Sequence, residues 1–379
     1  MSKVEELLAK YNPNGVFQSD LREVSSIIRG KRVTKRDVKE SGDYPVISGG
    51  ESPMGYYDTF NRDANTITIA QYGAAGYVDF QKNKFWANDV CYSILPFESV
   101  DNKYLYYTLK SKQNFIYSIR NTDAVPFSLP INTLYSIQIP LPHIKVQEEI
   151  VKILDSFTNL IDALNEELSL RQKQFEYYRE KLLTFDDKSL LKPINEIGTL
   201  FRGNGLQKKD FVDEGVGCIH YGQIYTKLGF SLSKPLTYVT KETAKPLTKV
   251  RKGDLVIACT SENIEDVCKS VVWEGEEEIV TGGHACVLRH NENPRYIGYF
   301  FQTHQFFMQK KQYAYGAKVI DIKTEKLGEI LIPVPSLAIQ LSIVEKLDAF
   351  ESLISSLKEE IALRQKQYEY YREKLLTFD

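Results

Sequence analysis

The sequence has little of what secreted, membrane and disulfide-bonded proteins need. Its five cysteines are an odd number with no C-x-x-C pair, so neither a disulfide framework nor a usual zinc spacing is present. No run of about 18 apolar residues occurs. The first residues carry Glu5 and Glu6 where a secretory signal needs an apolar core. We therefore expect a cytoplasmic protein with no membrane segment.

Motifs of enzymes and cofactor sites are also missing. There is no G-x-x-x-x-G-K-[ST], no G-x-G-x-x-G after a strand, no H-E-x-x-H, no G-x-S-x-G, and no Asn-Pro-Pro-Tyr or Asp-Pro-Pro-Tyr. The nearest set of metal-binding residue types is Cys259, Cys268, His284, Cys286 and His290, whose spacing fits no common zinc pattern. We predict a non-catalytic chain without metal or cofactor.

The chain consists of 379 residues with a formal charge of -2. At about 100 to 200 residues per domain, this length indicates two or three domains. A protein of this charge is not basic all over, so any nucleic-acid binding must depend on a local positive patch or on a partner.

A long internal repeat dominates the sequence. Residues 137–186 align without a gap to residues 330–379, and within them 170–186 differs from 363–379 only by Phe175 against Tyr368. In each copy, apolar residues alternate in steps of four and three, which is typical of a coiled-coil seam. The seam positions are Ile150, Leu154, Phe157, Ile161, Leu164, Leu168, Arg171, Phe175, Tyr178, Leu182 and Phe185, and then Ile343, Leu347, Phe350, Ile354, Leu357, Ile361, Arg364, Tyr368, Tyr371, Leu375 and Phe378.

This pattern predicts two helices of about 36 residues, each roughly 54 Å long. The simplest arrangement pairs them with each other as an antiparallel coiled coil with approximate twofold symmetry. The alternative is that each helix pairs with another molecule.

Between 170–186 and 363–379 the outward positions are identical too, although a seam does not require it. This identity predicts two equivalent surfaces that bind two copies of one partner; recent gene conversion would also explain it. The predicted partner-binding residues are Lys173, Glu176, Arg179 and Lys181, with Lys366, Glu369, Arg372 and Lys374 in the second copy.

The segments before the two helices share a common order of elements. Residues 24–38 correspond to 197–211, 66–70 to 254–258, and 124–142 to 317–335, and the second segment has gained about 20 residues in its middle. Short β-branched runs ("TITIA", "YVDF", "CYSIL"; "DLVIA", "SVVW", "ACVLR") predict strands, and residues 102–119 and 294–311 predict helices. Each segment is predicted to be a mixed α/β domain.

A loop rich in cations follows the first predicted strand of each segment and is a candidate phosphate-binding patch. A solvated turn is the alternative. Gly-flanked loops further along offer side chains with donors and acceptors suited to base edges. The candidate DNA-binding residues are Arg29, Lys31, Arg32, Lys35, Arg36, Gln71 and Tyr72 in the first segment, and Arg202, Asn204, Lys208, Lys209, His220, Tyr221, Gln223, His284 and Lys318 in the second.

The order Ile-Pro-x-Pro, Gln, Ile-Val, Leu-Asp-x-Phe occurs at both helix starts, in "IPLP…VQEEIVKILDSF" and "IPVP…IQLSIVEKLDAF". With two variable α/β domains, it resembles the specificity subunit of type I restriction-modification systems, the HsdS family. The resemblance implies that each domain reads one half of a split DNA site. It also implies that the paired helices act as a spacer that docks two methyltransferase subunits, and that restriction subunits join the full complex.

The resemblance places an N-terminal helix in residues 1–16 and recognition domains in 17–142 and 188–335. The coiled-coil helices then occupy 143–187 and 336–379. Two other functions are compatible with parts of the sequence: a coiled-coil scaffold whose domains bind proteins, and a self-contained methyltransferase or nuclease. The missing motifs argue against the enzyme.

Overall fold

The computed structural model describes residues 2–123 and 125–378. These form two compact units: unit 1 consists of 1–166 with 359–379, and unit 2 consists of 167–358. Each unit therefore contains one α/β domain, a part of the first long helix and a part of the second. Among the described residues, no helix is both long and apolar enough to cross a membrane.

Unit 1 contains five short helices, nine strands and the start of the first long helix. The helices are α1 (Lys3–Tyr11), α2 (Leu21–Val24), α3 (Asn102–Ser111), α4 (Gln113–Ser118), α5 (Ile131–Tyr135) and α6 (Ile144–Leu182). The strands are β1 (Phe17–Asp20), β2 (Ser25–Arg29), β3 (Tyr44–Ile47), β4 (Tyr56–Tyr57), β5 (Thr66–Ala70), β6 (Val78–Gln81), β7 (Trp86–Ala87), β8 (Cys91–Pro96) and β9 (Gln138–Leu141).

An antiparallel sheet of order β2-β8-β5-β6 forms the centre of the first domain. Every residue of β5 is buried, which explains its β-branched composition. Helix α3 covers the sheet with Tyr104, Leu105 and Leu109. A smaller sheet of order β4-β3-β7 lies beside it, and β1 pairs with β9 just before α6.

Unit 2 contains the end of α6, then α7 (Ile194–Ile197), α8 (Tyr221–Thr226), α9 (Lys241–Ala244), α10 (Pro294–Phe300), α11 (His304–Tyr313), α12 (Thr324–Gly328) and the start of α13 (Leu337–Leu376). Its strands are β10 (Leu191–Pro193), β11 (Gly198–Arg202), β12 (Phe211–Val212), β13 (Val216–Ile219), β14 (Ser231–Leu232), β15 (Thr237–Val239), β16 (Thr248–Val250), β17 (Leu255–Ala258), β18 (Thr260–Ser261), β19 (Ser270–Trp273), β20 (Ile279–Thr281), β21 (Ala285–His290), β22 (Ile320–Asp321) and β23 (Leu331–Pro333).

The second domain repeats the plan of the first and adds to it. Its sheet of order β11-β21-β17-β19 corresponds strand by strand to β2-β8-β5-β6, with β14 added at the edge. A second sheet has the order β12-β15-β13-β20-β16, and its parallel pair β13-β20 resembles the parallel pair β3-β7 of the first domain. The ribbon β10-β23 precedes α13, as β1-β9 precedes α6.

The six predicted strands and the mixed α/β class are confirmed. Residues 102–119 and 294–311 each form two helices. In the first, α3 ends at Ser111, with Lys112 as its C-cap; in the second, the Thr303 side chain accepts a hydrogen bond from the amide of Phe306 and so begins α11.

The long helices span 39 and 40 residues, slightly more than predicted. Every predicted seam position is buried or half-buried. In unit 1 the ring of Phe157 stacks on Tyr371 at 5.3 Å between centroids, and in unit 2 Tyr178 stacks on Phe350 at 5.4 Å. These are the same contact made by equivalent residues. In each unit an early residue of one helix faces a late residue of the other, so the antiparallel pairing is confirmed.

Candidate DNA-binding surface

The first cationic loop, residues 29–39, is held at its base by a glycine and a buried valine. Gly30 continues the strand pairing, because its amide donates to the carbonyl of Cys91 at 3.1 Å. A Cβ at Gly30 would overlap the carbonyl oxygens of Ala87 and Asn88. The buried Asn88 side chain accepts from the amide of Val33 at 3.0 Å and donates to its carbonyl at 3.2 Å. These contacts fix the course of the loop.

A carboxylate closes the turn at the tip of this loop. Asp37 accepts from both the amide and the hydroxyl of Thr34 at 2.7 Å, and these bonds hold the pKa of Asp37 below its ordinary value. Lys35 and Arg36 lie between Thr34 and Asp37 in this turn, and both are exposed.

The other cations of the loop differ in their surroundings. Lys31 and Arg32 are exposed, as are Lys35 and Arg36, and none of these four forms a salt bridge within the described residues. Lys39 pairs with Asp58 at 2.6 Å. The guanidinium of Arg29 lies 5.7 Å from the ring centre of Tyr92. Four positive charges are thus available to an anionic partner.

The second cationic loop, residues 202–210, has the same construction with different residues. Gly203 replaces Gly30 and donates to the carbonyl of Ala285 at 2.8 Å, and a Cβ there would overlap the carbonyl of Gly282. Leu206 is the buried anchor at the position of Val33. Asp210 accepts from the amide of Gln207 at 2.7 Å, as Asp37 does from Thr34. Lys208 and Lys209 are therefore presented as Lys35 and Arg36 are, and both are exposed.

The predicted residue Arg202 has protein partners. It pairs with Asp321 at 3.0 Å and donates to the carbonyl of Ile322 at 3.2 Å. This places it beside the segment 315–321, closed by a bridge between Tyr315 and Asp321, which carries the exposed Lys318.

An aromatic cluster lies next to the second cationic loop. Ring centroids of His220 and Tyr221 are 4.5 Å apart, and those of Tyr221 and His284 are 5.0 Å apart. The amide of Gly283 donates to the carbonyl of Gly205, which joins the cluster to the loop at 2.9 Å. The structure thus brings together predicted residues from three separate parts of the sequence, including the exposed Asn204 and His284.

His220 and Gln223 stabilise the backbone next to this cluster through hydrogen bonds. His220 is buried, and its Nδ1 accepts from the amide of Gly222 at 3.2 Å; burial lowers its pKa, and the nearby Lys208 and His284 lower it further. The Gln223 side chain accepts from the amide of His220 at 2.9 Å. Tyr221 and His284 are the more accessible members.

In unit 1 the predicted pair Gln71 and Tyr72 is divided by burial. Gln71 is buried, whereas Tyr72 is exposed and forms a bridge with Ser128. This bridge brings Tyr72 to the segment that follows α4. There the guanidinium of Arg120 lies 4.5 Å from the ring centre of Phe127. Sequence reasoning missed Arg120 and Phe127; the bridging segment "NTDAVPFS" gave no periodic signal that could place them beside Tyr72.

The predicted partner surface is mostly exposed. Lys173, Glu176 and Lys181 are exposed, and so are Lys366, Glu369 and Lys374. Arg179 and Arg372 are half-buried, because each guanidinium lies over the ring of the seam residue four positions earlier, at 5.5 Å from Phe175 and 5.3 Å from Tyr368.

Apolar residues on the same outward face were missed in the sequence analysis. Leu170 and Tyr177 are each 59% exposed, and their equivalents Leu363 and Tyr370 are 66% and 59% exposed. Large apolar side chains are thus exposed at equivalent places of the two helices. The signal was available, since these residues are apolar but fall outside the seam.

No group of three or more His, Cys, Asp or Glu side chains within the described residues could hold a metal ion. Each of the five cysteines is a buried free thiol.

Comparison with known proteins identifies the family. The family described as the type I restriction modification DNA specificity domain matches residues 13–170 and 191–363. The specificity subunit of the EcoR124I/EcoR124II type I restriction enzyme of Escherichia coli is 30% identical, over 73% of this chain and 70% of that protein. The specificity subunit of the MjaVIII enzyme of Methanocaldococcus jannaschii is 25% identical, over 69% and 66%.

Among solved structures, the S subunit of a type I restriction-modification system from M. genitalium has the same fold. It aligns with a TM-score of 0.63 at 17% identity and covers 96% of both chains. The chain therefore belongs to the family of type I restriction-modification DNA specificity domains, as the resemblance predicted. It contains two copies of that domain and is a DNA specificity subunit.

Proposed function

We propose that this specificity subunit recognises a bipartite DNA site, one half through each α/β domain. The observation that carries the proposal is the recurrence of one cationic loop in both units. At equivalent positions, each loop has a glycine, a buried apolar residue and a turn closed by an aspartate, and each presents two adjacent cations. Cations presented in this way suit the phosphate backbone, which fixes a protein on DNA without reading its sequence.

The two half-sites should differ in sequence, because the side chains beside the two loops differ. Tyr72 and the Arg120–Phe127 pair lie in unit 1, whereas Tyr221 and His284 lie in unit 2. The donors and acceptors that these groups offer to base edges are not the same. The site is therefore asymmetric, with bases between the halves that are not read. We place the recognition domains in residues 17–142 and 188–335.

The repeated outward faces of α6 and α13 are proposed as docking surfaces for two methyltransferase subunits. Their identical exposed side chains support two copies of one partner. Leu170 and Tyr177, with Leu363 and Tyr370, would supply the apolar contacts, and the surrounding lysines and glutamates a polar rim. The formal charge of -2 is compatible with DNA binding if those partners contribute part of the contact with DNA.

Methyl transfer and cleavage fall to the partners in this proposal. The chain supplies sequence specificity, its methyltransferase subunits modify adenine, and restriction subunits join to cut DNA. The relatives named as type I restriction enzyme specificity subunits support this division of roles.

Sequencing of methylated adenine in genomic DNA, with and without the gene for this chain, tests the proposal. We expect a split, asymmetric motif that disappears on deletion and returns on complementation. A scaffold without DNA specificity predicts an unchanged methylome. An unchanged methylome, in cells where the chain co-purifies with a methyltransferase, would reject the proposed function.

A further inference from the structure

Each domain is fastened to its long helix by a buried glutamine. In unit 1 the Gln147 side chain accepts from the amide of Asp101 and donates to the carbonyl of Pro142, both at 2.8 Å. In unit 2 Gln340 accepts from the amide of Asn293 at 3.0 Å and donates to the carbonyl of Pro335 at 2.8 Å. Both glutamines are fully buried. Since Asp101 and Asn293 are the N-caps of α3 and α10, each glutamine joins a domain helix to the start of a long helix.

Eight residues further along each long helix, just over two turns, an aspartate makes a second attachment. Asp155 accepts from the hydroxyl of Tyr107 at 2.7 Å and from the Nζ of Lys103 at 2.5 Å. Asp348 accepts from the hydroxyl of Tyr299 at 2.6 Å and from the Nε of Arg295 at 2.9 Å. The donors lie four residues apart in α3 and in α10, so one face of each domain helix is bonded to one carboxylate.

A tyrosine provides a third attachment, to the ribbon before each long helix. The hydroxyls of Tyr104 and Tyr296 donate to the carbonyls of Pro140 and Pro333, both at 2.9 Å. Burial raises the pKa of both tyrosines, so these hydroxyls remain protonated donors. The Gln and Asp of the repeated motif therefore bind the domain that precedes the helix, and the first Pro of the motif accepts a hydrogen bond from the same domain helix.

These bonds resist sliding of a domain along its helix. Apolar packing is non-directional, but a hydrogen bond tolerates donor–acceptor distances of only about 2.7–3.2 Å, and a buried group left unpaired is costly. A DNA spacer that is one base pair too long or too short would require a domain to shift by about 3.4 Å. A shift of that size would break the attachments made by the glutamine and by the aspartate.

We propose that Asp155 and Gln147, with Asp348 and Gln340, are positioning residues that set how strictly the protein discriminates the spacer length between half-sites. This inference rests on the proposed function, because it presupposes a bipartite site. The repeated motif then contributes to specificity by limiting the number of unread base pairs between the half-sites.

The domain helix has more carboxylate partners on the long helix in unit 2 than in unit 1, and this difference provides an internal control. In unit 2 a second carboxylate of α13, Glu351, accepts from the hydroxyl of Tyr299 at 3.0 Å and lies 3.4 Å from Arg295. At the equivalent place in α6, unit 1 has the neutral Thr158, whose hydroxyl is 3.4 Å from that of Tyr107. Removal of Asp155 therefore leaves α3 without a charged partner on α6, whereas removal of Asp348 leaves Glu351 in place.

The test measures methylation of short duplexes by the chain assembled with its methyltransferase. The duplexes carry both half-sites at the native spacer, or at a spacer one base pair shorter or longer. For Asp155→Ala, which removes the bonds from Tyr107 and Lys103, we expect the ratio of mis-spaced to native methylation to rise at least about tenfold. Asp348→Ala should change that ratio less. Lys35→Ala with Arg36→Ala should lower methylation at every spacer and leave the ratio unchanged.

An unchanged ratio for Asp155→Ala, with native-spacer methylation retained, would overturn the inference. If Asp155→Ala loses its cooperative thermal transition, Asp155→Asn is tested in its place. Asparagine keeps an acceptor for Tyr107 and removes the charge opposite Lys103. An unchanged ratio of mis-spaced to native methylation for Asp155→Asn would then overturn the inference. If the wild-type complex methylates no bipartite site, the proposed function itself fails, and that result is distinct from a bipartite site with an unaltered spacer ratio.

Discussion

Two adjacent cations in each domain owe their exposure to the residues on either side of them. Val33 and Leu206 are buried, Asp37 and Asp210 bind backbone amides, and the cations between them are exposed. Within the described residues, neither aspartate forms a salt bridge with these cations.

Removal of Lys35 and Arg36 should weaken DNA binding by the assembled complex. Two phosphate contacts contribute a slope of about two in log K against log salt, so the double alanine variant should lose about two units of slope, equally for all sequences. Lys39→Ala is the matched control, because Lys39 belongs to the same loop but is paired with Asp58. Titration of labelled duplex at several salt concentrations measures both. Equal slopes for wild type and double variant would remove the loop from the DNA interface.

Gly30 should not tolerate a side chain. A Cβ there meets the carbonyls of Ala87 and Asn88, so Gly30→Ala must displace the base of the loop and should lower the free energy of unfolding by about 1–3 kcal/mol. Gly229→Ala is the control, since nothing lies within 4 Å of a Cβ at that position. Denaturant titration of both variants compares them. A Gly30→Ala variant as stable as Gly229→Ala would contradict the close approach.

At the scale of elements, neighbouring tyrosines of one helix have opposite roles. Tyr178 stacks on Phe350 in the seam, whereas Tyr177 is exposed on the outward face, with the Nζ of Lys181 5.6 Å from its ring centre. The same division separates Tyr371 from Tyr370. One dipeptide therefore serves both the pairing of the helices and the proposed docking of a partner.

Alanine at these positions should separate stability from assembly. Tyr178→Ala removes a half-buried ring and should lower the free energy of unfolding by roughly 2 kcal/mol. Tyr177→Ala with Tyr370→Ala should leave stability within about 0.5 kcal/mol and weaken methyltransferase binding at least about tenfold. Thermal denaturation and analytical ultracentrifugation with the methyltransferase provide the two readouts. If the variant with Tyr177→Ala and Tyr370→Ala still bound the methyltransferase fully, these tyrosines would not be part of the docking surface.

The regular elements were predictable because their signals are periodic. The seam repeats every three or four residues over both long helices, and the buried strands are β-branched runs, so each of these predictions is confirmed. The breaks at Lys112 and Thr303 were not predicted, since the apolar pattern continues through both and only Thr303 provides a side-chain cap. The cluster of His220, Tyr221 and His284 depends on strand pairing between distant segments, which no local pattern reveals.

At the scale of the whole molecule, the chain is a duplication in which different parts have diverged to different degrees. The helices are nearly identical over 170–186 and 363–379, and Gln147 and Gln340 each accept from an N-cap amide and donate to a proline carbonyl. The domains keep the order of their central sheets but differ in the side chains beside their cationic loops. This is the distribution expected if the helices bind two copies of one partner while the domains read two different DNA sequences.

Exchange of one domain tests this account most directly. A chain in which residues 188–335 are replaced by the corresponding domain of another family member should direct methylation to a hybrid motif. We predict that one half-site of the motif changes and that the other half-site stays the same, as read by sequencing of methylated adenine in the host genome. A motif changed in both halves, or in neither, would contradict the claim that each domain reads its own half of the site.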